Sequence, residues 1–87
     1  MTIREYGVEL RVVLDLIHVL GYLWPAAKAF YPTAPLEAET WVTTRLEHLL
    51  RGRSRQVAAH LRRTATARRL PETQRAPVEQ CAHYLSK

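Results

Sequence analysis

Cysteine is nearly missing from this sequence: Cys81 is the single one in 87 residues. One thiol excludes an intramolecular disulfide framework and the usual four-ligand zinc patterns, so a reducing, cytoplasmic setting is expected, with Cys81 a small core residue. Long apolar runs are scarce as well. The best of them, Val12 to Trp24, is shorter than the roughly 20 residues that cross a bilayer, and Asp15 and His18 interrupt it, so no membrane partner is expected. Ala27-Lys28-Ala29 imitates a leader cleavage site, but Glu5 and Glu9 cancel Arg4 and Arg11 where a leader must be positive. Glycine-rich phosphate loops and nucleophile elbows are missing, and neither repeats nor low-complexity segments occur. The length allows at most one small domain, which buries roughly 60–65% of the surface its unfolded chain exposes.

Acidic residues are few and unevenly placed. Residues 1–44 carry three cations against five carboxylates, a net of −2, whereas residues 45–87 carry ten cations against Glu47, Glu72 and Glu79, a net of +7. Arginine dominates the basic half. Arg51, Arg53, Arg55, Arg62, Arg63, Arg68 and Arg69 fall within nineteen residues that hold no acid. Guanidinium groups fork onto phosphate oxygens, so a nucleic-acid backbone is the natural partner of such a stretch. The plainer reading of a charge run is a solvated helix face. No set of side chains is placed to read base edges, and binding to DNA is expected to be electrostatic.

The hydrophobic pattern predicts a mainly α chain: a short strand-like segment over residues 1–15, then about four helices over residues 16–87. Glu9 to Leu14 holds four apolar residues in six, which suits a buried strand, although periodicity alone allows a helix. Helical offsets begin at Leu16 and run to about Phe30, with a bend near Trp24 imposed by Pro25. Pro35 suits the first turn of a second helix, in which Trp41, Val42, Leu46, Leu49 and Leu50 form the stripe, Arg45 snorkels from it and Gly52 caps it. Ser54 is the expected N-cap of a third helix, with Val57, Ala58, Leu61 and Ala65 inward. A fourth begins near Pro71 or Pro77 and buries Val78, Cys81, Ala82 and Leu85. Short connections predict antiparallel neighbours. Trp24 and Trp41 are expected as core anchors.

Asp15 stands where the strand-like segment meets the first helix. A carboxylate at such a junction is a way to present a divalent metal to phosphate, and the plain structural reading is an N-cap for the helix that follows. No second acid stands in comparable surroundings. His18, one turn on, reads as a partly buried histidine, and Cys81-Ala82-His83 lacks the further ligands zinc requires. Gln56-Val57-Ala58-Ala59-His60-Leu61 imitates the first helix of a helix-turn-helix, but the turn would fall on Arg62-Arg63 without its usual glycine.

Three separated segments carry a resemblance. Asp15 to Leu20 followed by Tyr22-Leu23-Trp24, Leu49-Leu50-Arg51-Gly52-Arg53 leading into Gln56 to Ala59, and Arg75 to Val78 followed by Cys81-Ala82 and Tyr84-Leu85 together resemble DDE transposases of bacterial insertion sequences, in particular the ISKra group. The resemblance covers about residues 8–87. It implies a partial domain: a fragment of an RNase H-like catalytic core with its helical insertion. It also implies Asp15 as the second of three catalytic acids that bind Mg2+ for DNA cleavage and strand transfer. The other two acids would lie outside residues 1–87, so the isolated chain is expected to be inactive and to hold no metal unless another transposase chain supplies them. The alternative is a small basic helical module for DNA binding or interaction.

Overall fold

The computed structural model describes the backbone over residues 3–86 and the side chains over residues 15–86. Among these residues four helices follow one another: α1 (Ile3–Phe30), α2 (Pro35–Leu50), α3 (Ser54–Ala67) and α4 (Glu72–Leu85). The mainly helical expectation holds. Val8 to Leu14, expected as a strand, lies inside α1, and no strand occurs among the described residues. With no second strand to pair with, an extended segment would leave its N–H and C=O groups without partners, whereas a helix satisfies them locally. Asp15 therefore sits within a helix.

Each connection ends one helix by a specific backbone device. At the end of α2, the Gly52 N–H donates to the Leu49 carbonyl (3.0 Å) and the Arg53 N–H to the His48 carbonyl (3.1 Å). These two bonds define a Schellman motif, and Gly52 takes the left-handed conformation it needs, with φ +77°. The same pair of bonds closes α3: Arg69 N–H to Thr66 (3.1 Å) and Leu70 N–H to Ala65 (3.2 Å). Here the left-handed position falls on Arg69, φ 51°, where a Cβ costs free energy that glycine avoids. Ser54, expected as an N-cap, is the first residue of α3, and Arg53 caps it through its backbone only. Pro71 is the N-cap of α4, and its carbonyl accepts from the N–H groups of Gln74 (3.0 Å) and Arg75 (2.8 Å). Pro77 falls inside α4, as Pro25 does inside α1.

The helices pack in cyclic order, each on its neighbour in the chain, with α4 returning onto α1. Leu23, Ala26, Ala27 and Phe30 of α1 meet Trp41 and Val42 of α2, Val57, Ala58 and Leu61 of α3, and Val78, Cys81 and Leu85 of α4 in a single core. Leu23, Leu61, Val78 and Cys81 are the largest fully buried side chains, each aliphatic one contributing about 1.5–3 kcal/mol by leaving water. Burial pushes the Cys81 thiol up to about 12, so it behaves as the small apolar core residue its surroundings suggest. Trp24 departs from expectation. It is 37% exposed, and Leu50 is 64% exposed, while Trp41 is the true anchor and packs on Phe30 with ring centroids 5.5 Å apart.

Among the described side chains, those of α1 that join the core begin at Val19. With 28 residues against 16, 14 and 14 for the helices it packs on, α1 carries Asp15 and His18 on an exposed stretch ahead of that core. Of the four helix pairs that pack closely, α2 with α3 is the least extensive.

Candidate anion-binding site

The loose pairing of α2 and α3 follows from what faces across it. Arg45 and His48 lie one turn apart on α2, and Arg53, Gln56, His60 and Arg63 follow each other along α3 at steps of three, four and three residues. These six, with Val57, line a cleft of about 520 Å³ between the helices. No carboxylate lines it. Like charges on both walls oppose close approach, so the walls stand apart where an apolar pair would have closed.

Arg45 forms one side of this cleft. Its guanidinium lies over the Trp41 ring, 5.3 Å from the centroid, and its Nε is buried without a hydrogen-bond partner. A buried N–H left without an acceptor is costly and is a standing demand for one. Burial lowers the pKa of Arg45, yet a guanidinium stays charged at any pH a folded protein meets. The His60 pKa is lowered by burial first, then by the positive charges of Arg45, Arg63 and His48. Around this imidazole the local field is positive, which disfavours a further cation and favours an anion.

The N-terminus of α3 adds to that field. Arg53 is its N-cap and Gln56 belongs to its first turn; both line the cleft, and this turn contains no acidic residue. Helix N-termini carry partial positive charge and free N–H donors, the usual place for a carboxylate or phosphate.

The seven arginines singled out in the sequence do not form one surface. Arg53 and Arg63 line the cleft, and Arg51 and Arg55 are exposed beside it at the α2–α3 turn. Arg62 turns the other way: its Nε lies 3.4 Å from Glu79 Oε2, while Arg75 holds the other oxygen of the same carboxylate at 3.4 Å. Arg68 is structural. Its Nη1 donates to the Phe30 carbonyl (3.2 Å), its Nη2 to the Tyr31 hydroxyl (3.4 Å), and its plane covers both rings at 5.2 and 5.1 Å. That places a cation on the negative end of α1, where it is stabilising. Arg69 supplies the left-handed residue that closes α3.

Asp15 is exposed within α1, neither at a strand end nor at an N-cap, and His18 is exposed on the same helix. Among the described residues no three His, Cys, Asp or Glu side chains are grouped to hold a metal ion; the other two acids that the transposase resemblance implies would lie outside residues 1–87. The helix-turn-helix imitation is not formed either, since α3 runs unbroken through Arg62 and Arg63. Arg45, His48, Gln56 and His60 are not among the nucleic-acid ligands expected from the sequence, where Arg45 is a snorkelling residue and Gln56 and His60 belong to the helix-turn-helix imitation. The polar stripe at 53, 56, 60 and 63 was visible as a helical repeat, but its partner wall on α2 was hidden behind the apolar reading of that helix.

Comparison with protein-family models, with curated proteins and with solved structures gives no match.

Proposed function

We propose that this chain is a small basic helical module that binds the phosphate backbone of DNA. The observation that carries the reading is the acid-free cleft and its rim, where Arg45, Arg53 and Arg63 converge and Arg51 and Arg55 flank them. Such a surface neutralises several neighbouring phosphates and displaces their condensed counterions, which gives affinity without sequence preference. No Trp, Tyr or Phe ring lines the cleft, so the imidazoles of His48 and His60 are its only aromatic surfaces for stacking.

The test is binding to unrelated duplexes over a range of salt. Affinity falls steeply with salt, and Arg51→Ala, Arg53→Ala, Arg55→Ala or Arg63→Ala each weakens all duplexes alike and makes the logarithmic salt slope shallower by up to about 0.9, the value of one phosphate contact. Arg62→Ala and Arg68→Ala act mainly on stability, because those side chains are engaged within the fold. A salt-insensitive affinity overturns the reading.

A transposase fragment is a second reading, favoured by the order and spacing of the three resembling segments. In it DNA is again the partner and Asp15 is the remaining catalytic acid, completed by acids of another transposase chain. Its test is incubation of the isolated chain with a DNA substrate and magnesium or manganese, where no turnover is expected. Turnover that vanishes in Asp15→Ala refutes the expectation of inactivity.

A further inference from the structure

We propose that the α2–α3 cleft is a discrete seat for a phosphomonoester dianion, the kind of group found at a 5′-phosphorylated strand end or on a small phosphorylated molecule. This deepens the DNA reading and rests on it only for the source of the group. The cleft is concave and of a volume, about 520 Å³, that admits a phosphoryl group with its attached sugar. Three guanidinium groups from two helices line it without any carboxylate to neutralise them. A backbone phosphodiester brings one negative charge and two free oxygens, whereas a phosphomonoester brings close to two charges and three oxygens at neutral pH.

Three cations and two imidazoles around one space are better balanced by the dianion. Arg45 lines the cleft, and its guanidinium contributes charge and N–H donors toward a phosphoryl oxygen. At the other end stands the N-terminus of α3, whose partial positive charge adds to that of Arg53. Gln56 extends the donor set without adding charge.

Seating the group adds negative charge beside His60 and His48, offsetting the repulsion that each cation on the walls imposes on the others. Charged groups facing His60 come from both helices, Arg45 and His48 on α2 and Arg63 on its own helix. Binding therefore favours proton uptake at His60, opposed at acid pH by protonation of the phosphomonoester itself.

The experiment uses the full chain in a phosphate-free buffer at moderate salt. Its affinity is measured for one short single strand carrying either a 5′-phosphate or a 5′-hydroxyl, and separately for inorganic phosphate. Histidine ring signals are followed by NMR throughout. The 5′-phosphorylated strand binds about tenfold more tightly, as expected for a set of charge-assisted hydrogen bonds made by one end only, and inorganic phosphate alone shifts the His60 signals. Arg45→Met and Arg63→Gln each abolish the preference. The double variant Arg51→Gln/Arg55→Gln weakens both strands equally and keeps it. Arg63 lies on an exposed helix face, so its variant tests the seat independently of the packing around Arg45. Equal affinity for the two ends, or a preference that survives Arg63→Gln, overturns the proposal while leaving backbone binding intact. A response to inorganic phosphate without binding of either strand upholds the seat and overturns the DNA reading.

Discussion

Replacing Arg45 by methionine should stabilise this protein while removing its anion site. The guanidinium contributes a stacking contact with Trp41 at 5.3 Å, worth about 0.5–1 kcal/mol at a partly exposed site. Against this stands the buried Nε without a partner, for which the desolvation cost is about 1–3 kcal/mol. Methionine keeps the methylene packing along the ring, removes the orphaned donor and takes one positive charge from a wall that already holds several. The expected balance is a gain of about 1 kcal/mol, which in a domain of this size raises the Tm by about 4–8 °C. Thermal unfolding followed by circular dichroism measures it. A second reading comes from His60, whose pKa is lowered by burial and then by Arg45. In the variant it moves up toward the ordinary value, though not fully, because burial remains. An NMR titration of the imidazole follows that change. A lowered Tm together with an unmoved His60 titration would refute the view that Arg45 is held there at a cost to the fold.

Leu61→Ala removes a side chain with no exposed surface at the centre of the core and should cost about 2–5 kcal/mol, measured as a loss of the urea midpoint; a change below about 1 kcal/mol would mean that the helices close over the cavity. Arg69→Gly should raise the midpoint by about 0.5–1 kcal/mol, since glycine takes the left-handed conformation at φ 51° without a Cβ penalty, offset in part by a more flexible unfolded chain. Acid should weaken the fold through His60. Its folded pKa lies below the ordinary value of 6.5, so the unfolded chain binds more protons between the two and stability falls as the pH drops below about 6.5. His60→Gln should flatten that loss, which urea unfolding at pH 7.5 and pH 5 compares; an identical loss in the variant would assign it elsewhere.

Much of this fold was legible because helix periodicity and turn chemistry are local. The inward sets Val57, Ala58, Leu61, Ala65 and Val78, Cys81, Ala82, Leu85 are spaced at three and four residues, and all eight are buried. Gly52, Pro32, Pro35 and Pro71 stand at helix boundaries, whereas Pro25 and Pro77 lie inside α1 and α4. The segment Val8 to Leu14 was ambiguous for the same reason: a short apolar run satisfies strand and helix alike, and only the presence or absence of a partner strand separates them.

The sequence by itself determined four helical segments, an arginine-rich second half and a solitary cysteine on an apolar helical stripe, since each depends on residues close together in the chain. Only the tertiary structure decided which arginines share a surface. Arg62 and Arg68 are spent on Glu79 and on the end of α1, whereas Arg45, read from periodicity as one more residue at the edge of a stripe, faces Arg53, His60 and Arg63 across a cleft. Charge adds along a sequence, but an electrostatic field adds in space, and the angle at which α2 meets α3 is set by packing throughout the core.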